Sequence, residues 1–344
     1  MEENILIYNV KAGDTLDKIG TGIGMTGDQL RDFHNSQCEK MDKLWFNNLV
    51  GVKQIIIPKS YKSDADVWRD QQKELPPATV TRDFYAGIYS VTETFFQVSE
   101  NDIEIDYKVS VSFRNKYETN SPDEVADVKC FDFTRSGEEP DDKMSSISIA
   151  TMASIYPISF TIPYQGGISG IFDFSQLKKR FENKKPDLED FFVGEVYQKY
   201  LNKFNQSLGR EDFTLKQLAS TLLYQLLFPK MEWFHKTGNW TEGFYIIQNS
   251  FKIKCAMSAE YDHTDSETVK TFIKGNISDR LSLQELLRGV RFETDPEEPA
   301  EGEIQLRYIT SKTTKKMSEA EVSLILKTDD KVYIKQTLKL TQDA

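Results

Sequence analysis

The chain is poor in the residues that most often carry chemistry: its 344 residues include three histidines and three cysteines. His34, His235 and His263 lie far apart, with no H-x-x-x-H or C-x-x-C spacing to cradle a metal, so no metal site is expected. Cys38, Cys130 and Cys255 are equally scattered and odd in number, which suits reduced thiols better than a disulfide framework. A G-x-S-x-G turn, a Walker-type phosphate loop and a dinucleotide fingerprint are all missing from the sequence, and Gly166-Gly167 reads as a hairpin turn. No cofactor is expected.

Long apolar runs are missing too. No window approaches the ~18 apolar residues of a membrane-spanning helix. The opening MEENILIYNVKAGDTL has neither the basic region nor the apolar stretch of a secretory signal, so a cytoplasmic protein is expected. The N-x-[ST] matches at Asn205, Asn239 and Asn276 then carry no meaning. Positive charge is also in deficit: 43 basic against 54 acidic residues leave a net charge of −11, which opposes binding to phosphate backbones and excludes nucleic acid as a partner.

What is present is enough apolar material, 39% of the chain, for two or three domains. Residues 5–12 (ILIYNVKA) and 54–58 (QIIIP) read as strands. Two helical stretches lie between them, opening at Asp14-Thr15 and at Thr26-Gly27-Asp28, residue types that cap helix N-termini. Residues 59–83 are polar, contain Pro76-Pro77 and read as a linker.

From Phe84 the pattern is β: YSVTETFFQV, a turn at Glu100-Asn101-Asp102, then IEIDYKVSVSF with Ile103, Ile105, Tyr107, Val109, Val111 and Phe113 in strict alternation. Residues 118–146, with an apolar patch at Val128 to Phe133, read as a long surface loop. Strands resume at IYPISFTI and ISGIFDF. Residues 175–235 carry apolar residues three and four apart, giving about three helices, the last ended by Pro229. The remainder, 236–344, returns to strands with one short helix at LSLQELLRG. KGNISDRLSLQELLRG echoes GGISGIFDFSQLKKRF, which is either an internal duplication or shared turn chemistry in two unrelated β-rich domains.

The segment YNVKAGDTLDKIG, the second helix with Leu30, Asn35, and the closing Leu49, Gly51, Ile55, Ile57 and Pro58 resemble a LysM domain over residues 5–58. Gly13 permits a tight turn, Asp14 or Thr15 caps the helix, and Leu16 with Ile19 faces inward. The resemblance implies an N-terminal βααβ LysM module (1–58), and the patterns of the rest complete an α+β chain with a linker (59–83) and a β-rich body (84–174 and 236–344) with a helical insert (175–235). It also implies a shallow groove for N-acetylglucosamine-containing glycan such as peptidoglycan. Its walls would be Ala12, Gly13, Asp14, Thr15 and Leu16 on one side, and Leu49, Val50, Gly51 and Val52 on the other.

Two departures weaken the glycan expectation. The stretch from Asn35 to Gly51 is longer than is usual in the family, and the Gly-Gln pair common before the last strand reads Gly51-Val52-Lys53-Gln54. The added residues include Trp45 and Phe46, which either stack on a sugar, pack on the core or form a protein interface. Elsewhere, FPKMEWFHKTGNWTEGF (228–244) gathers aromatics with Glu232 and Glu242. It reads either as a packing seam or as a sugar cleft with two carboxylates for glycoside hydrolysis. The acidic runs Glu138 to Asp142 and Asp295 to Pro299 read as solvated loops.

The reading that follows is a non-enzymatic binding or adaptor protein that docks on a protein partner through its LysM module. In architecture it resembles accessory components of contractile injection or type VI-like secretion machines in bacteria. The alternatives are a peptidoglycan-targeted cell-wall-binding protein and a cell-wall hydrolase or toxin.

Overall fold

The computed structural model describes residues 5–62, 64–96, 102–294, 296–329 and 331–343. Glu100 and Asn101 of the expected turn, and Asp295 of the second acidic run, lie outside the described residues. The chain forms two compact units, Met1–Lys73 and Glu74–Ala344.

The first unit runs β1 (Ile5–Asn9), α1 (Leu16–Thr21), α2 (Gly27–Gln37), β2 (Gln54–Pro58) and α3 (Asp64–Glu74), which reaches the boundary. β1 and β2 pair antiparallel from Ile5 opposite Pro58 to Asn9 opposite Gln54. The Thr15 hydroxyl accepts the Lys18 N–H to open α1, and Thr26 with Gln29 forms a reciprocal capping box on α2. These caps aim Leu16, Ile19 and Leu30 at a core completed by Leu44, Leu49, Ile55 and Ile57. Each aliphatic side chain so buried contributes roughly 1.5–3 kcal/mol. Tyr61 packs on this core and meets the Tyr8 ring edge-on at 5.0 Å.

The second unit runs α4 (Arg82–Tyr85), β3 (Gly87–Phe95), β4 (Ile103–Phe113), α5 (Lys116–Thr119), β5 (Glu124–Arg135), α6 (Lys143–Ile155), β6 (Ile158–Ile162) and β7 (Gly170–Ile171). Four helices follow, α7 (Phe174–Phe191), α8 (Glu195–Ser207), α9 (Glu211–Ala219) and α10 (Leu222–Leu227), then a 3-10 turn at Met231–His235. The chain closes with β8 (Trp240–Phe244), β9 (Ile253–Asp262), β10 (Thr268–Ile277), α11 (Leu283–Arg288), β11 (Glu301–Ser311), β12 (Met317–Thr328) and β13 (Lys331–Gln342).

All the strands of this unit join one antiparallel sheet of 11 strands in the order β7-β6-β5-β4-β3-β13-β12-β11-β10-β9-β8. The first strand pairs with the last, with Val91 opposite Leu340. One meander runs outward from β3, and the other returns inward to β13. The loop after β6 meets the chain after α10, where the Met231 N–H donates to the Gln165 carbonyl and Gly166 bridges Lys230. Gly166 has φ of 86°, and an added Cβ there would lie 2.3 Å from the Pro229 carbonyl oxygen, so this contact needs glycine. Helix α10 packs against β11 and β12, apolar on every side but Gln225, with Leu222, Leu223, Tyr224, Leu226 and Leu227 all buried. The Tyr308 hydroxyl donates to the Leu226 carbonyl at 3.1 Å.

The expected fold class is corrected on these observations. The α+β arrangement of a βααβ LysM module followed by a β-rich body with a helical insert does not describe the chain. A large 11-stranded antiparallel sheet dominates it, accompanied by a small two-stranded sheet with helices. Strands expected of two β-rich regions share one sheet, because β3 and β13 pair across nearly the whole body and periodicity carries no trace of such distant pairing. The small unit does not stop at Pro58, since Tyr61 enters its core and α3 occupies part of the expected linker.

The expected loop at 118–146 contains β5, whose inward Val128 and Cys130 are buried, and the start of α6. The two echoing segments take unlike places: one leads through edge strand β7 into α7, while the other leaves β10 for α11, between β10 and β11.

Candidate functional site

β1 and β2 bring together the two walls expected from the sequence. Asn9 lies opposite Gln54, and the Val10 N–H continues the ladder to the Lys53 carbonyl at 2.9 Å, so residues 10–16 and 49–53 flank one end of the small sheet. Their side chains do unlike things. Leu16 and Leu49 are buried in the core, so these two present no side chain to a ligand, and Val52 packs on that core half-buried. Thr15 is spent on its cap.

Asp14 accepts the Tyr8 hydroxyl at 2.7 Å and the Lys11 N–H at 2.8 Å. Burial raises the Asp14 carboxyl, but those two hydrogen bonds and the nearby lysines outweigh it, and its pKa is lowered. Gly13 and Gly51 remain open, both at positive φ with nothing within 4 Å of a built Cβ, and Val50 is exposed.

The long loop between α2 and β2 is tied down by side chains of α2. Asn35 bonds Leu44 twice, donating to its carbonyl at 2.9 Å and accepting its N–H at 2.7 Å. The buried His34 ring accepts the Ile56 N–H on Nδ1 at 2.9 Å, and its Nε2 lies 3.0 Å from the Asp42 carbonyl, to which it donates. Arg31 reaches Asn47 at 2.8 Å, and Asn47 donates to Asp28 at 2.7 Å. Leu44 and Leu49 anchor the two ends of this stretch in the core, and between them Trp45 and Phe46 stand 75% and 74% exposed. Of the expected roles for the pair, core packing is therefore excluded.

The other histidines also hold structure together. His235 Nε2 lies 2.8 Å from the Pro76 carbonyl, and His263 Nδ1 lies 2.7 Å from Glu74, which Lys312 also contacts. Among the described residues no group of three or more His, Cys, Asp or Glu side chains converges to hold a metal.

Glu232 and Glu242 have separate surroundings. Glu232 is exposed and pairs with Lys236 at 3.2 Å. Glu242 accepts the Trp233 indole N–H, the Lys230 ammonium and the Gly243 N–H, each at 3.0 Å. It lines a cavity of about 350 Å3 whose lining does not include Glu232. Burial pushes the Glu242 carboxyl up, yet these three donors prevail and its pKa is lowered. That is the opposite of what a glycosidase general acid requires.

A larger cavity, of about 770 Å3, lies between the inner face of the sheet and helices α6, α8, α9 and α10. Ile105, Phe133, Ile155, Phe204, Leu223 and Leu324 supply much of its wall. Three polar side chains of the sheet converge in it, while helices and loops add others, Lys203, Thr214 and Gln217 among them. Glu93 of β3 accepts a hydrogen bond from the Gln336 amide of β13 and one from the Tyr107 hydroxyl of β4, the latter at 3.3 Å. Burial raises the Glu93 carboxyl, and these two donors only partly offset the shift. Burial likewise pushes the Cys130 thiol, also in this wall, up to about 11.

Sequence reading missed this site, although its signal was there. Tyr89, Val91, Glu93 and Phe95 alternate along one face of β3, so a carboxyl occupies an inward register. Gln336 does the same between Ile334 and Leu338.

No family model and no curated protein matches the chain. A solved structure titled "Lipid-protein interactions in lipovitellin" is similar over 76% of this chain and 25% of its own, at 9% identity and a TM-score of 0.39. The chain thus spans about a quarter of that protein's length. No helix of the described residues is long and apolar enough to cross a membrane.

Proposed function

We propose that the protein is a non-catalytic binding or adaptor protein whose N-terminal unit docks on a protein partner through the loop carrying Trp45 and Phe46. One observation carries this reading: two adjacent aromatic side chains are exposed on a loop whose backbone is clamped by Asn35, His34 and the Arg31–Asn47–Asp28 network. Exposed aromatic area is what interfaces use as anchors. A loop already held in one shape loses little conformational entropy on binding, so more of the contact energy appears as affinity. The non-catalytic part of the reading is supported by the lowered pKa of Glu242 and the raised pKa of the Cys130 thiol.

The finer assignment, docking within a contractile injection or type VI-like apparatus, rests on the N-terminal resemblance to LysM alone. The competing reading, binding of N-acetylglucosamine-containing glycan, is favoured by the open backbone at Gly13 and Gly51. It is disfavoured by the loss of the Leu16, Leu49 and Asp14 side chains to the core and to internal hydrogen bonds.

Site-specific crosslinking separates the two. A photoreactive residue at position 46 of the full chain, irradiated in cells of the source organism, should yield a discrete protein adduct that Trp45→Ala abolishes. Crosslinks to cell-wall glycan alone would refute the docking role.

A further inference from the structure

We infer that the 770 Å3 cavity of the second unit holds one long-chain alcohol, its hydroxyl on Glu93, Gln336 and Tyr107 and its chain along the apolar wall. This goes beyond the docking role, which belongs to the other unit.

Size is the first argument. A packed interior leaves few voids larger than a water molecule, whereas small-molecule sites occupy roughly 300–1,000 Å3. A space of about 770 Å3 belongs to the second class. Its exposed lining side chains, Lys203 and Gln248, mark where it opens. The wall between them and the sheet is mostly aliphatic and aromatic, which suits a hydrocarbon chain.

Polarity selects the head. Glu93 and Gln336 stand at inward positions of two paired central strands, between side chains that are otherwise apolar. Placing a carboxyl and an amide there is costly unless both are hydrogen-bonded. They bond each other, but capacity remains: the Gln336 side-chain carbonyl accepts nothing among the described residues, and a carboxyl accepts more than the two bonds made here.

A hydroxyl fits this remainder, since it donates to Glu93, to the Gln336 carbonyl or to the Tyr107 oxygen and accepts the second N–H of the Gln336 amide. A carboxylate head fits less well, because it brings no proton for the Gln336 carbonyl to accept and adds a second acid to a buried site, where two carboxylates resist joint ionisation. The preference is therefore for a neutral donor over a fatty acid of the same length.

Displacement of the neutral fluorophore Nile red from the full chain, by dodecanol and by dodecanoate at neutral pH, tests this directly. Dodecanol should displace the dye at a concentration at least about tenfold below that of dodecanoate. Leu223→Trp, which narrows the cavity, should weaken displacement by both, and Glu93→Gln should bring the two ligands together. Failure of dodecanol to displace the dye from the wild type would overturn the proposal. So would equal or tighter binding of dodecanoate. Should Leu223→Trp fail to fold, the dodecanol-to-dodecanoate ratio of the Glu93→Gln variant still decides: an unchanged ratio refutes the assigned head site.

Discussion

Glu93 stands in a strand register that the neighbouring Tyr89 and Val91 use for the core, and its surroundings favour the protonated carboxyl. Desolvation is the largest cause, and it exceeds the opposing hydrogen bonds from Gln336 and Tyr107. A carboxyl whose pKa is raised on folding adds its stability below the ordinary range of about 4, and loses it as pH rises through the raised value. Glu93→Gln keeps an uncharged hydrogen-bonding group there at every pH. The stability of this variant relative to the wild type should therefore improve as pH rises from about 4 to about 8. Urea unfolding at a series of pH values reads this difference, and a trend in the opposite direction would show that Glu93 is held as an anion. The misplaced polar residue was visible in YSVTETFF. What sequence could not show was that Gln336, 243 positions away, would face it.

The loop between α2 and β2 is an element held by side chains rather than by a ladder. Asn35→Ala removes both hydrogen bonds to Leu44 and should cost about 1–3 kcal/mol, with loss of hydrogen-exchange protection at the Leu44 amide. Retained protection would mean that the burial of Leu44 and Leu49 holds the loop without Asn35.

Legibility varied among the elements for physical reasons. β4, with six inward apolar positions in a row, was plain, and so were the caps at Thr15 and Thr26. β5 was hidden because Asp127, Lys129 and Asp132 break its apolar run, and Asp132 takes φ of 55° beside a register shift. α3 was hidden because its residues are mostly charged or polar. The strand register brings both walls of the expected glycan groove to one end of the small sheet. Periodicity had no means of showing that Leu16 and Leu49 turn into the core there.

At the scale of the whole chain, two meanders depend on one seam. β13 pairs with β3 on one side and β12 on the other, and it buries Leu338 and Leu340. Deleting residues 331–344 would open two long edges in the middle of the sheet and expose the helix packed against it. The second unit should then lose its cooperative thermal transition, as followed by near-ultraviolet circular dichroism. A preserved transition would mean that the two meanders fold independently, as the sequence pattern suggested.

Titration of the full chain with N-acetylglucosamine oligomers, followed by calorimetry and by amide shifts, tests most directly whether the N-terminal unit engages protein rather than sugar. A protein-docking role predicts binding weaker than roughly micromolar, with no shifts centred on Gly13, Val50 and Gly51. Binding tighter than that, with shifts at those three residues, would contradict it.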